Sequence, residues 1–183
     1  MKAIDLFAGL GGFTQAAQSV GIDVVWAANH SPLAVEFHAR NHPTVAHSCQ
    51  DLQQADFTQV PEHDLLLASP CCQGHFPGNA GSRHDASRAT AWAVVSALEA
   101  KGAAVAVVEN IPQFRSWKLY PVWKQALEVL GYSVAEVISD AADFEVPQHR
   151  VRLFVLATKS RHPISLNLAR GHHRPVRDFI EWD

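Results

Sequence analysis

Four short segments carry the side chains able to do chemistry. Ser69-Pro70-Cys71-Cys72-Gln73-Gly74 places two thiols just after an apolar run, and Glu109-Asn110-Ile111-Pro112 places a carboxylate just after another. A thiolate is a nucleophile, and a carboxyl at the end of a buried strand is desolvated and inclined to hold a proton, which makes Glu109 a candidate acid. The opening Asp5-Leu6-Phe7-Ala8-Gly9-Leu10-Gly11-Gly12-Phe13 offers a tight turn whose backbone amides can approach a nucleotide-like ligand. Gln148-His149-Arg150-Val151-Arg152 adds two cations. Competing structural readings exist for each. A free cysteine is often a small core hydrophobe, but a Pro-Cys-Cys-Gln-Gly stretch is polar and turn-prone, so Cys72 reads as the nucleophile and Cys71 as the structural thiol. Glu109 could instead satisfy a helix N-terminus.

The spacing Gly9-x-Gly11 lacks a third glycine three residues on, which departs from the dinucleotide fingerprint and argues against a NAD enzyme. An adenosine-bearing cofactor also wants a carboxylate near the end of the second strand and a polar group for adenine after the third. The second strand ends in Asn29-His30 with no acid, and Asp51 could suit an adenine amino group. The same three residues read equally as ordinary loop polars.

These segments need a scaffold, and the pattern supplies one. Lys2 to Phe7, Asp23 to Ala28, Asp64 to Ala68, Ala103 to Val108 and Ser133 to Ile138 read as strands, several of them continuously apolar as in a sheet covered on both faces. Thr14 to Val20, Pro32 to Asn41, Ala86 to Lys101 and Pro121 to Leu130 have helical spacing, with Gly21, Gly102 and Gly131 at the stops and Ser31-Pro32 as an N-terminal start. The alternation predicts an α/β doubly wound, mostly parallel sheet. Val151 to Ala157 is a further strand, joined to its predecessor by too short a connection for a helical crossover, so it is expected to run antiparallel. Gln73 to Ser87 reads as a long loop. In such a sheet ligands lie beyond the carboxyl ends of the strands, where the glycine turn, the cysteines and Glu109 all fall.

With 183 residues, 48% of them hydrophobic, one globular unit over residues 1–183 is expected. No apolar stretch reaches the roughly 20 residues of a membrane span, and no signal-peptide pattern precedes the first strand, so a soluble cytoplasmic protein without membrane partners is expected. Cys49, Cys71 and Cys72 are a poor basis for a disulfide framework. The 11 histidines are scattered and no Cys-x-x-Cys exists, so no metal site is expected. The net charge of −3 hides an asymmetry: residues 1–145 carry 8 Lys and Arg against 15 Asp and Glu, whereas residues 146–177 carry 7 Lys and Arg and no carboxylate. That basic segment fits a phosphate-facing edge, or a solvated loop of positive bias.

The order of Asp5 to Phe13, then Pro-x-Cys-Gln at 70 to 73, then Glu109-Asn110-Ile111-Pro112, then Pro147-Gln148-x-Arg150-x-Arg152, resembles the DNA (cytosine-5)-methyltransferase family of the bacterial and phage type across nearly the whole chain. The resemblance implies a Rossmann-like fold, S-adenosylmethionine as methyl donor, and duplex DNA with a flipped-out cytosine as substrate. It implies that Cys72 adds to carbon 6 of the ring while Glu109 hydrogen-bonds the ring nitrogen and amino group, and that Arg150 and Arg152 hold the cytosine oxygen and a phosphate. By the same resemblance Asp5, Phe7, Ala8, Gly9, Gly11, Gly12, Asn29, His30, Ser31, Asp51, Leu52 and Pro70 serve the cofactor pocket. Departures stand at Cys71, Phe76, His30 and Ser31, where the family usually has a proline or small residue, a serine, an acid and a large apolar side chain. The family's target-recognition domain is not found after residue 157, so sequence recognition is expected to come from a complementing polypeptide or from residues lost by truncation. A catalytically inactive remnant or binding module with the same fold, and a tRNA cytosine-5 methyltransferase, are the alternative functions.

Overall fold

The computed structural model describes residues 1–71, 89–160, 164, 166 and 168–181. Cys72, the expected loop Gln73 to Ser87 and the first residues of the expected helix from Ala86 lie outside the described residues. Seven strands form one sheet in the order β3-β2-β1-β4-β5-β7-β6. They are β1 (Lys2–Leu6), β2 (Asp23–Asn29), β3 (Ala46–Cys49), β4 (Leu65–Ala68), β5 (Val105–Asn110), β6 (Ser133–Asp140) and β7 (Val151–Thr158). The first five run parallel, and β7 lies antiparallel between β5 and β6. The helices are α1 (Gly12–Ser19), α2 (Pro32–Asn41), α3 (Trp92–Lys101) and α4 (Tyr120–Val129).

The doubly wound expectation and the antiparallel C-terminal strand are both observed. The connection from β6 to β7, Ala141 to Arg150, is a 3-10 turn with a short loop, too little chain for a crossover. Ser31 caps α2 by accepting a hydrogen bond from the Ala34 amide at 3.4 Å, with Pro32 in the first turn.

Several strands differ from expectation, among them β6, which runs to Asp140 rather than Ile138. Ala46–Cys49 is a strand that periodicity did not reveal, because it is a short edge strand, Ala-His-Ser-Cys, with no apolar run; its pairing with Trp26 through Asn29 alone defines it. Asp51 therefore follows the third strand of the sheet. The fifth strand runs two residues further than expected, so Glu109 and Asn110 lie within it. Their partners are Phe154 and Leu153 of β7, and that antiparallel ladder holds the extra residues extended.

The core occupies both faces of the sheet. One face packs Ile4, Leu6, Leu66, Val108, Leu153 and Val155 against Val94 and Leu98 of α3 and Trp123 and Leu127 of α4. The other packs Ala3, Val24, Ala27, Leu65 and Leu67 against Ala17 of α1. On this second face the half made by β5, β7 and β6 opens into a cavity instead.

Candidate active site

The glycine turn begins where β1 ends. Phe7 has φ +58, a conformation bulky residues rarely adopt, and Gly9 and Gly11 follow at +56 and +98. The turn is pinned by the Ala8 amide on Ala28 O at 3.1 Å and by the Gly11 amide on Ala8 O at 3.0 Å. Gly11 has a second constraint: a Cβ there would stand 2.3 Å from His42 Nε2 and 3.3 Å from His38 Cδ2. Gly12 faces open space, and a Cβ on Gly9 would meet only Phe7 O at 4.0 Å. Backbone amides thus stand at the start of α1 with room before them, the arrangement that suits a polar ligand at a helix N-terminus.

This turn forms one wall of a cavity of about 680 Å³. Phe7, Ala8, Gly9, Gly12 and Phe13 line it, together with Ser69 at the end of β4, Glu109 of β5, and Arg150 and Arg152 at the start of β7. Alternation along the strands sends Val107, Phe154, Leu156 and Val137 to the same side, so the polar groups converge over an apolar floor. Arg152 Nε lies 2.7 Å from Glu109 Oε1, with each side chain 22% exposed. Glu109 is therefore oriented by an ion pair rather than standing alone in an apolar wall. Arg150 is set by Asp140, whose Oδ1 accepts the Arg150 amide at 2.8 Å and whose Oδ2 contacts His149 Nδ1 at 2.9 Å. The His149 contact, then the Arg150 amide, hold the Asp140 carboxyl down at about 2.

The segment leading to Cys72 is fixed up to Cys71. Asn110, 2% exposed, donates from Nδ2 to Pro70 O at 3.1 Å, and its Oδ1 accepts the Ile111 amide at 2.9 Å. The Ser69 amide donates to Leu6 O at 3.1 Å, and the Cys71 amide to Thr90 Oγ1 at 3.0 Å. The chain leaves β4 tied to the strand that carries Glu109. Cys72 itself lies outside the described residues.

The remaining expected residues are not part of this cavity's lining. Asn29 ends β2, half-buried, and its Oδ1 accepts the Ser31 amide at 3.0 Å. His30 and Asp51 are exposed. Asp51 accepts the Gln53 amide at 3.0 Å and the Gln54 side chain at 3.3 Å. Leu52 is buried in the core with Trp26 and Phe57, and Pro70 is buried at the end of β4. Strand order brings residues 7, 29–31 and 50–52 side by side along one edge of the sheet. Asp5 is fully buried below the turn, where burial lifts its carboxyl to about 7 against hydrogen bonding from Thr14.

Several residues of the site escaped the sequence reading. Asn110 was part of a motif, but its link to Pro70 spans 40 residues and has no local signal. Phe13 was part of the glycine-turn motif and Phe154 only part of a strand, and nothing local signalled that their rings stand 6.5 Å apart at the cavity. Thr14, His38, His42 and His47, described below, lie on three different elements.

Among the described residues no helix is long and apolar enough to cross a membrane. The family described as C-5 cytosine-specific DNA methylase matches residues 1–179. The chain is 30% identical over 161 residues to the Type II methyltransferase M.MspI of Moraxella sp., covering 85% of this chain and 38% of that protein. It is 25% identical over 186 residues to the Type II methyltransferase M.NgoBI of Neisseria gonorrhoeae, covering 100% of this chain and 58% of that protein. The chain thus spans about half the length of the curated relatives it matches. Among solved structures, the S. pombe Dnmt2 methyltransferase superimposes with a TM-score of 0.81 at 21% identity, covering 100% of this chain and 61% of that one, which establishes the shared Rossmann-like fold. With a match over almost its entire length, the chain belongs to the C-5 cytosine-specific DNA methylase family.

Proposed function

We propose that residues 1–183 form one catalytic and cofactor-binding unit that methylates carbon 5 of a flipped-out cytosine in DNA. The observation that carries this reading is the convergence of the glycine turn, Glu109, Arg150 and Arg152 on one cavity, with the Cys72-bearing segment tied to the same strand end. S-adenosylmethionine, when bound, supplies an electrophilic methyl group. The residues fit it: Phe7, Ala8, Gly9 and Gly12 present amides and space, and Asn29, His30, Ser31, Asp51 and Leu52 flank them at the ends of β2 and β3. Asp5 and Gly11 shape the turn from beneath, and Pro70 leads toward the thiol.

In this reading the Cys72 thiolate uses a sulfur lone pair to form the bond to carbon 6, and the π pair of the broken carbon 5–carbon 6 double bond moves onto carbon 5 and the ring nitrogen. Glu109 stabilises the resulting negative charge by hydrogen bonding at the ring nitrogen and amino group. Arg152 keeps Glu109 aimed, and Arg150 holds the base oxygen or a neighbouring phosphate. Carbon 5 takes the methyl group, loses its proton to a base, and Cys72 leaves with the bonding pair, restoring aromaticity. A recognition part, on a separate polypeptide or on further residues of a longer chain, would supply sequence choice.

Radiolabelled methyl transfer to cytosine-containing duplex DNA, with a recognition polypeptide present, tests this. Transfer abolished by Cys72→Ser supports the reading; background incorporation, or transfer to tRNA with none to DNA, overturns it.

A further inference from the structure

Beneath the glycine turn four side chains from four elements form one hydrogen-bonded chain. Asp5 of β1 has Oδ2 at 2.8 Å from Thr14 Oγ1 of α1. Thr14 Oγ1 is 3.1 Å from His38 Nε2 of α2, and His38 Nδ1 is 2.8 Å from His47 Nε2 of β3. Asp5, Thr14 and His38 are buried; His47 is half-exposed. The chain therefore runs from the interior to the surface. His42 is the other titratable group facing it, with its ring 4.8 Å from that of His38 and its Nδ1 at 3.0 Å from the neutral Gln18. Asp5's strand neighbours, Ala27 of β2 and Leu67 of β4, bring no charge.

Every link can be donated in either direction. In one polarity His47 Nε2–H donates to His38 Nδ1, His38 Nε2–H donates to Thr14, and Thr14 donates to an Asp5 carboxylate. In the other a protonated Asp5 donates to Thr14, Thr14 to His38 Nε2, and His38 Nδ1–H to His47 Nε2.

We propose that Asp5, Thr14, His38 and His47 are a reversible proton wire and positioning network by which solvent pH sets the geometry of the glycine turn. The switch balances: one proton enters from water at His47 Nδ1, each link passes its own proton inward, and Asp5 gains one. Both imidazoles stay neutral and exchange tautomers. The turn is coupled because Asp5 and Thr14 flank it, and Gly11 packs on His42 and His38. Burial supports the assignment, since it lifts Asp5 to about 7 and, with charge repulsion from His47 and His42, drives His38 down to about 4, so that across neutrality the acid titrates while His38 does not. Consequences for cofactor affinity rest on the cofactor reading given above; the wire itself does not.

Nitrogen NMR of the histidine rings tests it without ligand. The expected result is a tautomer exchange at His38 and His47 with a common midpoint near neutrality, matched by the Gly11 and Gly12 amide shifts and lost in both Asp5→Asn and Thr14→Val. A His38 tautomer constant with pH, or an exchange surviving in both variants, overturns the proposal. A parallel titration with S-adenosylmethionine separates the two readings: tautomer exchange with no binding at any pH leaves the wire standing and removes the cofactor assignment.

Discussion

Glu109 and Asp5 are both carboxylates on neighbouring parts of one sheet, yet their surroundings give them different work. Glu109 meets a guanidinium at 2.7 Å and faces a cavity, whereas Asp5 is enclosed and is hydrogen-bonded by the hydroxyl and backbone of Thr14. Glu109→Gln keeps the shape but removes the acid, and is expected to lower methyl transfer by about 10²- to 10⁴-fold with cofactor binding unchanged in calorimetry. The buried pair Asp5 and His38 makes a stability prediction. Asp5, raised in the folded state, contributes stability that is full below its ordinary value of 3.8 and is lost as pH rises toward 7. His38, lowered, contributes stability present above its ordinary 6.5 and lost as pH falls toward 4. Between those limits the slopes oppose each other. Thermal melts should therefore show Asp5→Asn losing stability as pH drops from 6.5 to 4, and His38→Gln losing it as pH rises from 4 to 7. Melts of both variants that parallel the unsubstituted protein would contradict this. The sequence made the thiols, Glu109 and the glycines legible because their chemistry is written in residue type. Thr14, His38 and His47 were not, since only folding brings α1, α2 and β3 together.

Elements position the site through a few fixed joints. Gly11 combines φ +98 with contact against His42, so Gly11→Ala strains the backbone and displaces an imidazole at once. A loss of about 1–3 kcal/mol is expected in denaturant unfolding, with weakened cofactor binding. Asn110→Leu leaves Pro70 O and the Ile111 amide without their partner inside the protein. It should lose about 1–3 kcal/mol and reduce methyl transfer more than cofactor affinity, because the loosened segment is the one leading to Cys72. At this scale the helices were readable from their periodicity and glycine stops. Strand β3 was not, because four half-polar residues at a sheet edge are specified by pairing with β2, and the end of β5 was not, because its ladder with β7 extends it.

At the scale of the whole molecule, charge is unevenly spread along the chain. The cations of residues 146–177 include Arg150 and Arg152 at the cavity, while the acids lie mainly earlier in the chain. DNA association is therefore expected to weaken steeply with salt, with log affinity falling roughly 0.9 per phosphate contact for each unit of log salt, as measured by fluorescence anisotropy. Arg150→Ala should reduce that slope by about one. The parallel order of the sheet was legible from alternation, whereas the half-open face of β5, β7 and β6 was not: apolar strands read alike whether a helix or a cavity lies against them. The central claim is that Cys72 and Glu109 act on one cytosine beside the methyl donor. Its most direct test is mass spectrometry of the chain, with a recognition polypeptide, on duplex DNA whose target cytosine carries fluorine at carbon 5, which cannot leave as the proton does. The expected product is a methylated base linked to Cys72, lost in Cys72→Ser and strongly reduced in Glu109→Gln; an adduct at Cys71 or Cys49, or none at all, would contradict it.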